Sequence, residues 1–431
     1  MGHTALLIIA SAAHGELWTI KDLFVYPNEF IYWSLTIVMY PFMTGLVAGA
    51  FVLSSLYHVF GVKQLRDIAR FALVFSFALL PAALLPLMMH LQQPFRGPNV
   101  FMTPHFTSAI AAFGVVFTTY FAIVASELWF IYRKHFVEQS LLLREKPDKT
   151  LGERLFSLIY TVLTLGSYDI SEKARRTDAK WTKIIAAAGI PVALFLHGYA
   201  GFIFGSVKAN ALWMTPLMPV IFIVSAVVSG IAYTMLVYIV TMEIRKLLAR
   251  RKRSATDSPA RLEEIAGAEI DVIRMTSRYL LIFLVAAISL ELLDVVFRSY
   301  TAVKSWDVLR SAVYGHEFVQ IFVLQYGLGG LVPLIIFLTP RLTIRRTVVG
   351  VVFVLFGVFM MRWNVVIGGQ SFSLTFAGYM RYVLPVIPRS IESVREGVVG
   401  ALFVMASPLV LFYFYAKIFP MFPSTESRLG K

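Results

Sequence analysis

Cysteine is absent from the 431 residues of this chain. Without cysteine the chain lacks disulfides, thiolate-bound iron–sulfur clusters and cysteine nucleophiles. Charge is also scarce, because Asp, Glu, Lys and Arg make up only 15% of the residues, whereas a typical soluble domain carries about 25%. The sequence therefore predicts that any iron–sulfur chemistry belongs to another subunit and that the chain is not an ordinary soluble domain.

Apolar residues make up 58% of the chain, and the mean hydropathy is +0.73. Several apolar runs reach about 18 residues, the length that a membrane-spanning helix needs. The pattern predicts an all-α polytopic membrane protein with about nine transmembrane helices. The predicted spans are 29–60, 68–91, 108–131, 184–204, 216–242, 279–297, 315–338, 348–366 and 398–418.

The net charge of +14 has a simple explanation in such a protein. Cytoplasmic loops of membrane proteins are enriched in Lys and Arg, so the excess does not indicate a nucleic-acid partner. Basic residues crowd the loops after the first, third, fifth and seventh predicted helices, including a long loop over 132–183. We therefore expect a periplasmic N-terminus and a cytoplasmic C-terminus.

A weak internal repeat relates the two halves of the chain. Thr44–Phe51 (TGLVAGAF) aligns with Ser225–Ala232 (SAVVSGIA), and small residues four apart let helices approach closely. Chance similarity between apolar helices is the alternative. The repeat predicts two parallel four-helix bundles and an extra C-terminal helix, with boundaries at 1–28 (periplasmic segment), 29–206 (first bundle), 207–367 (second bundle) and 368–431 (periplasmic loop, extra helix and cytoplasmic tail).

Ionisable residues inside apolar spans are costly and mark function by default. Histidines, carboxylates and arginines at similar depth suit a quinone, whose carbonyl oxygens need hydrogen-bond donors and whose reduction needs protons. Structural roles are the alternative, since Asp294 and Arg298 could form only a buried ion pair. The predicted quinone-binding residues are His90, Arg96, His197, Asp294 and His316.

Proton transfer needs titratable groups within reach of that site. Glu291 and Asp294 are three residues apart and so share a helix face, and His197 lies in an apolar span. Glu127 and Glu243 lie near the inner ends of their spans and could admit protons from the cytoplasm, although interfacial anchoring is the alternative. We expect no haem, because a bis-histidine site needs two facing histidines at matching depth.

Four stretches resemble the NrfD/polysulfide-reductase (PsrC-like) family of membrane subunits: TGLVAGAFVLS (44–54), HLQQPFRGPNVFMTPHFTSAIAAFG (90–114), His197–Ala232 and MRWNVVIGGQ (361–370). The last two most resemble the HybB-like and DsrP-like branch. The resemblance covers about residues 30–415. Many members have an Asp-Leu-Gly-x-Pro pattern where this chain has His90-Leu-Gln-Gln-Pro94, which puts contacts made by that Asp in doubt.

The resemblance implies a multi-pass subunit of the prokaryotic inner membrane that is not catalytic alone. It implies menaquinone or another quinone bound near the outer face, and a ferredoxin-like iron–sulfur subunit docked on the periplasmic side. Further expected partners are a cytochrome c or catalytic oxidoreductase subunits, together with membrane lipid. The expected function is electron exchange between the iron–sulfur subunit and menaquinone, with electrogenic proton uptake as an added hypothesis. Alternatives are a secondary transporter or an anchor without quinone chemistry.

Overall fold

The computed structural model describes residues 31–105, 107–207, 210–251, 259–300, 306–340, 342–372 and 379–421. Within these residues, nine helices are long and apolar enough to cross a membrane. The prediction of an all-α polytopic membrane protein is therefore confirmed. The predicted N-terminal segment 1–28 lies outside the described residues.

The nine spanning helices are named α1 to α9 in chain order. They are α1 (Leu35–His58), α2 (Arg66–Ala82), α3 (Ala109–Glu145), α4 (Glu172–Gly205), α5 (Met218–Arg251), α6 (Pro259–Tyr300), α7 (Val319–Leu338), α8 (Ile344–Val366) and α9 (Val398–Ile418). Short helical segments cover Lys63–Leu65, Leu85–His90, Pro94–Arg96, Asn99–Met102, Leu151–Leu163, Trp306–Ser311, Ala312–His316, Gly368–Gln370 and Ile391–Glu396.

Helix ends follow local chemistry. The hydroxyl of Ser34 accepts a hydrogen bond from a backbone N–H in the first turn of α1, and Ser171 does the same for α4, as helix-capping serines do. Pro81 and Pro86 lack the N–H that continues a helix. As a result, α2 ends just after Pro81 and the chain resumes as Leu85–His90.

The loop between α3 and α4 is shorter than the predicted basic loop over 132–183. α3 continues to Glu145 and α4 already begins at Glu172, so both helices project beyond their apolar spans. Hydropathy shows only the part of a helix that lies in the bilayer, and a charged extension stays helical where its side chains pair. Arg133 on α3 makes such a pair with Asp178 on α4, with the Nη2–Oδ2 distance at 2.8 Å.

α1 lies at the centre of the molecule. Of its most apolar 18-residue window, 94% is buried, against 22% for α6. Gly49 of α1 packs against the backbone of Gly230 on α5, where an added Cβ on either residue would overlap the other helix. These two glycines are aligned in the sequence repeat, so equivalent positions of the two copies contact each other. The division into two bundles stays a prediction.

Part of α7 is wound unusually. Residues Val319–Leu331 form a π-helix, and α-helical winding resumes at Val332. π-Helical turns are rare and often lie at functional sites. Gln325 and Tyr326 lie in this stretch and line the cavity described below.

Close packing of α1 on α5 generates a stability prediction. Gly49→Ala should lower the free energy of unfolding by about 1–3 kcal/mol, because its methyl group would overlap backbone atoms of Ala226 and Gly230. Thermal or denaturant unfolding of the purified chain in detergent measures the change. Gly152→Ala is the control, since a Cβ at Gly152 meets nothing within 4 Å. Equal stability of the two variants would contradict the inferred packing.

Candidate functional site

A cluster of four polar side chains, the histidine–arginine cluster, connects α1, α4, α5 and α8. His197 on α4 is fully buried, and its Nε2 lies 3.0 Å from Nη2 of Arg362 on α8. The same Nη2 donates to the hydroxyl of Ser225 on α5 at 2.7 Å. Thr44 on α1 lies on the other side of the ring, with its hydroxyl 3.2 Å from Nδ1 of His197.

These contacts determine the hydrogen-bond directions. A guanidinium only donates, so Nε2 of His197 accepts from Arg362 and the ring is neutral, with its proton on Nδ1. That N–H donates to the Thr44 hydroxyl, which in turn donates to the carbonyl of Tyr40 at 3.1 Å. Both ring nitrogens of His197 are therefore hydrogen-bonded, and His197 cannot donate to a ligand without losing one of these two hydrogen bonds.

Arg362 carries a charge into the centre of the molecule. Its side chain is fully buried, and its guanidinium carbon lies 3.8 Å from the centre of the Phe222 ring. Among the described residues, no carboxylate forms an ion pair with it, and its Nε has no hydrogen-bond partner. A charge buried this way is expensive and marks a functional site by default. Our set of predicted site residues omitted Arg362, although an arginine inside the apolar run 348–366 was the available signal.

A second feature is the carboxylate cavity, an opening of about 110 Å³ beside α5, α6, α7 and α8. This is several times the roughly 10–15 Å³ that one water molecule needs. The polar side chains that line it are Glu291, Asp294, Arg298, Gln325, Tyr326 and Asn364, and the rest of the lining is apolar.

Amide side chains hold Glu291 in this cavity. Nε2 of Gln325 donates to the Glu291 carboxylate at 2.8 Å, and Nδ2 of Asn364 donates to Oε1 of Gln325 at 2.7 Å. Oδ1 of Asn364 is buried and has no hydrogen-bond partner among the residues that the structure describes. The chain of amides orients Glu291 and leaves one unfilled acceptor on Asn364.

Asp294 and Arg298 form the buried ion pair that the sequence left as an alternative. Nε of Arg298 lies 2.8 Å from Oδ2 of Asp294, and the Thr215 hydroxyl donates to Oδ1 at 2.5 Å. Arg298 also donates to the carbonyls of Ala211 and Leu212, at 2.7 and 3.0 Å. The pair therefore ties α6 to the loop between α4 and α5. Because the charges of Asp294 and Arg298 match each other, Glu291 is the lining carboxylate that forms no ion pair within the described residues.

Four predicted quinone-binding residues, His90, Arg96, His197 and His316, do not line the carboxylate cavity. His316 lies 2.8 Å from Glu317 and stacks on Tyr379 with ring centres 4.5 Å apart. His90 lies 3.1 Å from a carboxylate oxygen of Glu396, and Arg96 is exposed. The structure thus brings Asp294 to the cavity, keeps His197 in the neighbouring cluster and leaves His90, Arg96 and His316 at other contacts.

The carboxylate of Glu396 is held by several groups. Burial raises its pKa, but hydrogen bonds from His90 and Ser34, together with the charges of His90 and Arg395, outweigh burial and leave the pKa below its ordinary value of 4.5. Glu396 is therefore ionised at neutral pH. It fixes His90 beside the short helix Ile391–Glu396.

The two residues predicted to admit protons have different surroundings. Glu127 on α3 is fully buried, and Nδ1 of His58 lies 3.6 Å away. Within the part of the chain that the structure describes, both carboxylate oxygens of Glu127 lack hydrogen-bond partners. Glu243 is exposed and pairs with Lys246 at 3.2 Å. Only Glu127 has the surroundings expected of a buried proton carrier.

Within the described residues, these features define a class: a polytopic helical membrane protein that keeps a buried cationic cluster next to a carboxylate-lined cavity. The profile of the family described as "Polysulphide reductase, NrfD" matches residues 26–374. The chain belongs to the NrfD family, and the resemblance seen in the sequence is confirmed.

Named relatives agree with this assignment. A selenate reductase subunit of Mesobacillus selenatarsenatis is 35% identical over 211 residues, which cover 48% of this chain and 47% of that protein. A Halobacterium salinarum protein assigned as a putative membrane subunit of dimethyl sulfoxide reductase is 26% identical. The match covers 83% of this chain and 71% of the length of that protein. The Hdr-like menaquinol oxidoreductase integral membrane subunit of Archaeoglobus fulgidus is 25% identical, over 46% of this chain and 40% of its own.

The histidine–arginine contact predicts an interaction that a double-mutant cycle can measure. His197→Phe should cost about 1.5–3 kcal/mol of unfolding free energy, the usual contribution of a hydrogen bond to a charged group. The same substitution should cost much less in an Arg362→Met background, because the donor is then gone. Denaturant unfolding of the purified variants measures both values.

Arg345→Met supplies the matched background, since Arg345 lies on α8 and is exposed. His197→Phe should keep its full cost there. An equal cost in the Arg362→Met and Arg345→Met backgrounds would refute the contact.

Proposed function

We propose that this chain is the quinone-interacting membrane subunit of a multisubunit respiratory oxidoreductase. In this proposal it exchanges electrons between an iron–sulfur subunit on the periplasmic side and menaquinone. The observation that supports it most is the carboxylate cavity, with polar groups converging on an otherwise apolar space. The name of the Archaeoglobus relative, a menaquinol oxidoreductase subunit, adds support. Since this chain has no cysteine, the clusters belong to its partner.

The residues of the cavity fit a quinone headgroup. Binding sites for small molecules are mostly apolar with a few well-placed polar groups, and this lining has that composition. The unfilled acceptor on Asn364 suits a ligand hydroxyl. When bound, a quinone supplies two-electron chemistry that is coupled to two protons.

Each polar residue then has a proposed role. Glu291 exchanges a proton with the ligand, and Gln325 keeps its carboxylate in place. Arg298 and Asp294 shape the wall and close the gap to the α4–α5 loop. Arg362 places positive charge behind the cavity, next to the lining residue Met361.

The remaining predicted residues keep proposed roles outside the cavity wall. His197 holds Arg362, and the proton-transfer role proposed for His197 and Asp294 would require each to give up a hydrogen bond or ion pair that it makes here. His316 lies three residues beyond Val313, which lines the cavity, and we propose that it contacts the quinone at that edge. His90 and Arg96 are proposed to contact the quinone during its approach.

Glu291→Gln tests the quinone chemistry. The amide keeps the size of the side chain but cannot exchange the proton, so quinone-linked turnover of the purified complex should fall by roughly 100-fold. The assay follows oxidation or reduction of a soluble menaquinone analogue. Electron transfer to an artificial dye by the partner subunits should stay unchanged.

The control for this test is Glu138→Gln, since Glu138 is exposed and pairs on the surface with Lys134. Full quinone-linked turnover in the Glu291 variant would contradict the assigned role. If the Glu291 variant keeps full turnover and the chain binds no quinone, the chain is better described as a membrane anchor without quinone chemistry. Solute uptake by the chain without partners would favour a secondary transporter.

We also propose that the protein spans the prokaryotic inner membrane with its N-terminus periplasmic and its C-terminus cytoplasmic. Glu127 and Glu243 would then face the cytoplasmic side and supply protons, while electrons arrive from the periplasmic side. Turnover would separate charge across the membrane. The feature that supports this path is the buried carboxylate of Glu127, which lies 3.6 Å from Nδ1 of His58 and has no hydrogen-bond partner among the described residues.

Glu127→Gln tests the path in proteoliposomes that contain the complex. The amide cannot carry a proton, so the membrane potential formed per electron transferred should drop by about half or more, since the group is required for proton passage. A potential-sensitive dye measures this, with Glu138→Gln as the control on the same helix. Wild-type turnover that forms no potential would remove the electrogenic part of the proposal.

A further inference from the structure

A second cavity, the basic cavity, lies among the first four helices. It has a volume of about 530 Å³ and is bounded by the end of α1, the start of α2, the second half of α3 and the start of α4. Five basic side chains line it, namely Lys63, Arg70, Lys134, Arg175 and Lys183. Its lining includes one acidic residue, Asp178.

The charges in this cavity are not balanced. Asp178 is already held by Arg133, with both carboxylate oxygens within 3.1 Å of the guanidinium. In the described part of the chain, Lys63, Arg175 and Lys183 form no ion pair, and Lys134 pairs with Glu138 on the outer surface.

Arg70 adds a second, independent observation. Its Nε is buried and has no hydrogen-bond partner, and it forms no ion pair within the described residues. A buried guanidinium N–H without an acceptor is costly. Because an arginine fork matches phosphate oxygens, an oxyanion is the ligand that would satisfy it.

The depth of the basic cavity favours one source of that anion. Phe130 lines the cavity and stacks on Trp181, with ring centres 6.5 Å apart. Trp129 lies next to Phe130 and contacts Arg133 through its ring face. Tryptophans and neighbouring cations gather at the headgroup level of a membrane.

We propose that the basic cavity binds a phosphate-bearing anion, and that this anion is the headgroup of an anionic phospholipid. Basic pockets between membrane helices bind such headgroups. The proposal concerns lipid binding only and is independent of the quinone chemistry. A bound headgroup would join α2 to α4 by bridging Arg70 and Lys183.

The test is a native mass spectrometry titration of the full-length chain in detergent. Short-chain phosphatidylglycerol, short-chain phosphatidylcholine and inorganic phosphate are the probes. The variant Arg175→Gln/Lys183→Gln should bind phosphatidylglycerol roughly 25-fold more weakly, because each basic side chain contributes about fivefold to the attraction of an anionic lipid. Lys173→Gln/Lys180→Gln is the matched control, since both lysines are exposed on α4 and do not line the cavity.

Phosphatidylglycerol that binds more tightly than phosphatidylcholine, resists millimolar phosphate and is lost only in the cavity variant would establish the lipid site. Inorganic phosphate that binds alone and displaces the lipid would support the anion site and overturn its assignment to a lipid. Equal binding of the two lipids, or equal loss in both double variants, would overturn the proposal.

Discussion

The central constraint on this molecule is the burial of the Arg362 guanidinium, a permanent charge far from water. Three groups that contact it offer electron density: the lone pair of His197, the hydroxyl of Ser225 and the ring face of Phe222. These acceptors come from two helices that must lie close to α8. Gly45 leaves room for the His197 ring, because a methyl group added there would lie only 3.3 Å from it, and Gly49 lets α1 approach α5. The close helix packing and the buried charge therefore depend on each other.

Polar groups in the two cavities are arranged in opposite ways. In the carboxylate cavity, Arg298 and Asp294 neutralise each other and the amides of Gln325 and Asn364 hold Glu291. A matched pair is structural, whereas a carboxylate that forms no ion pair can change its protonation at moderate cost. In the basic cavity the excess charge is positive and unpaired, which suits an anion from outside the chain. Membership of the NrfD family gives the first arrangement a respiratory context.

Much of the fold was predictable. Apolar runs located all nine spans within the described residues, and the prediction for α9 matches its observed bounds. The ends of α3 and α4 were not predictable from hydropathy, because the charged turns that carry Arg133 and Asp178 are stabilised by a contact between helices. The site was predictable only in part. The i, i+4 pair of Asp294 and Arg298 is local in sequence, and it was recognised as an alternative, whereas the partners of His90 and His197 were not.

Hydrophobicity and charge are properties of each stretch of chain. The sequence alone therefore determined that this is a helical membrane protein, which segments span the membrane and which ionisable residues lie inside apolar segments. Its motifs also determined the family. Contacts between distant residues depend on how helices pack, and only the tertiary structure decided them. His197 and Arg362 are 165 residues apart, and His90 and Glu396 are 306 apart. No local pattern encodes which buried donor meets which acceptor, because that choice is made by the packing of apolar surfaces around them.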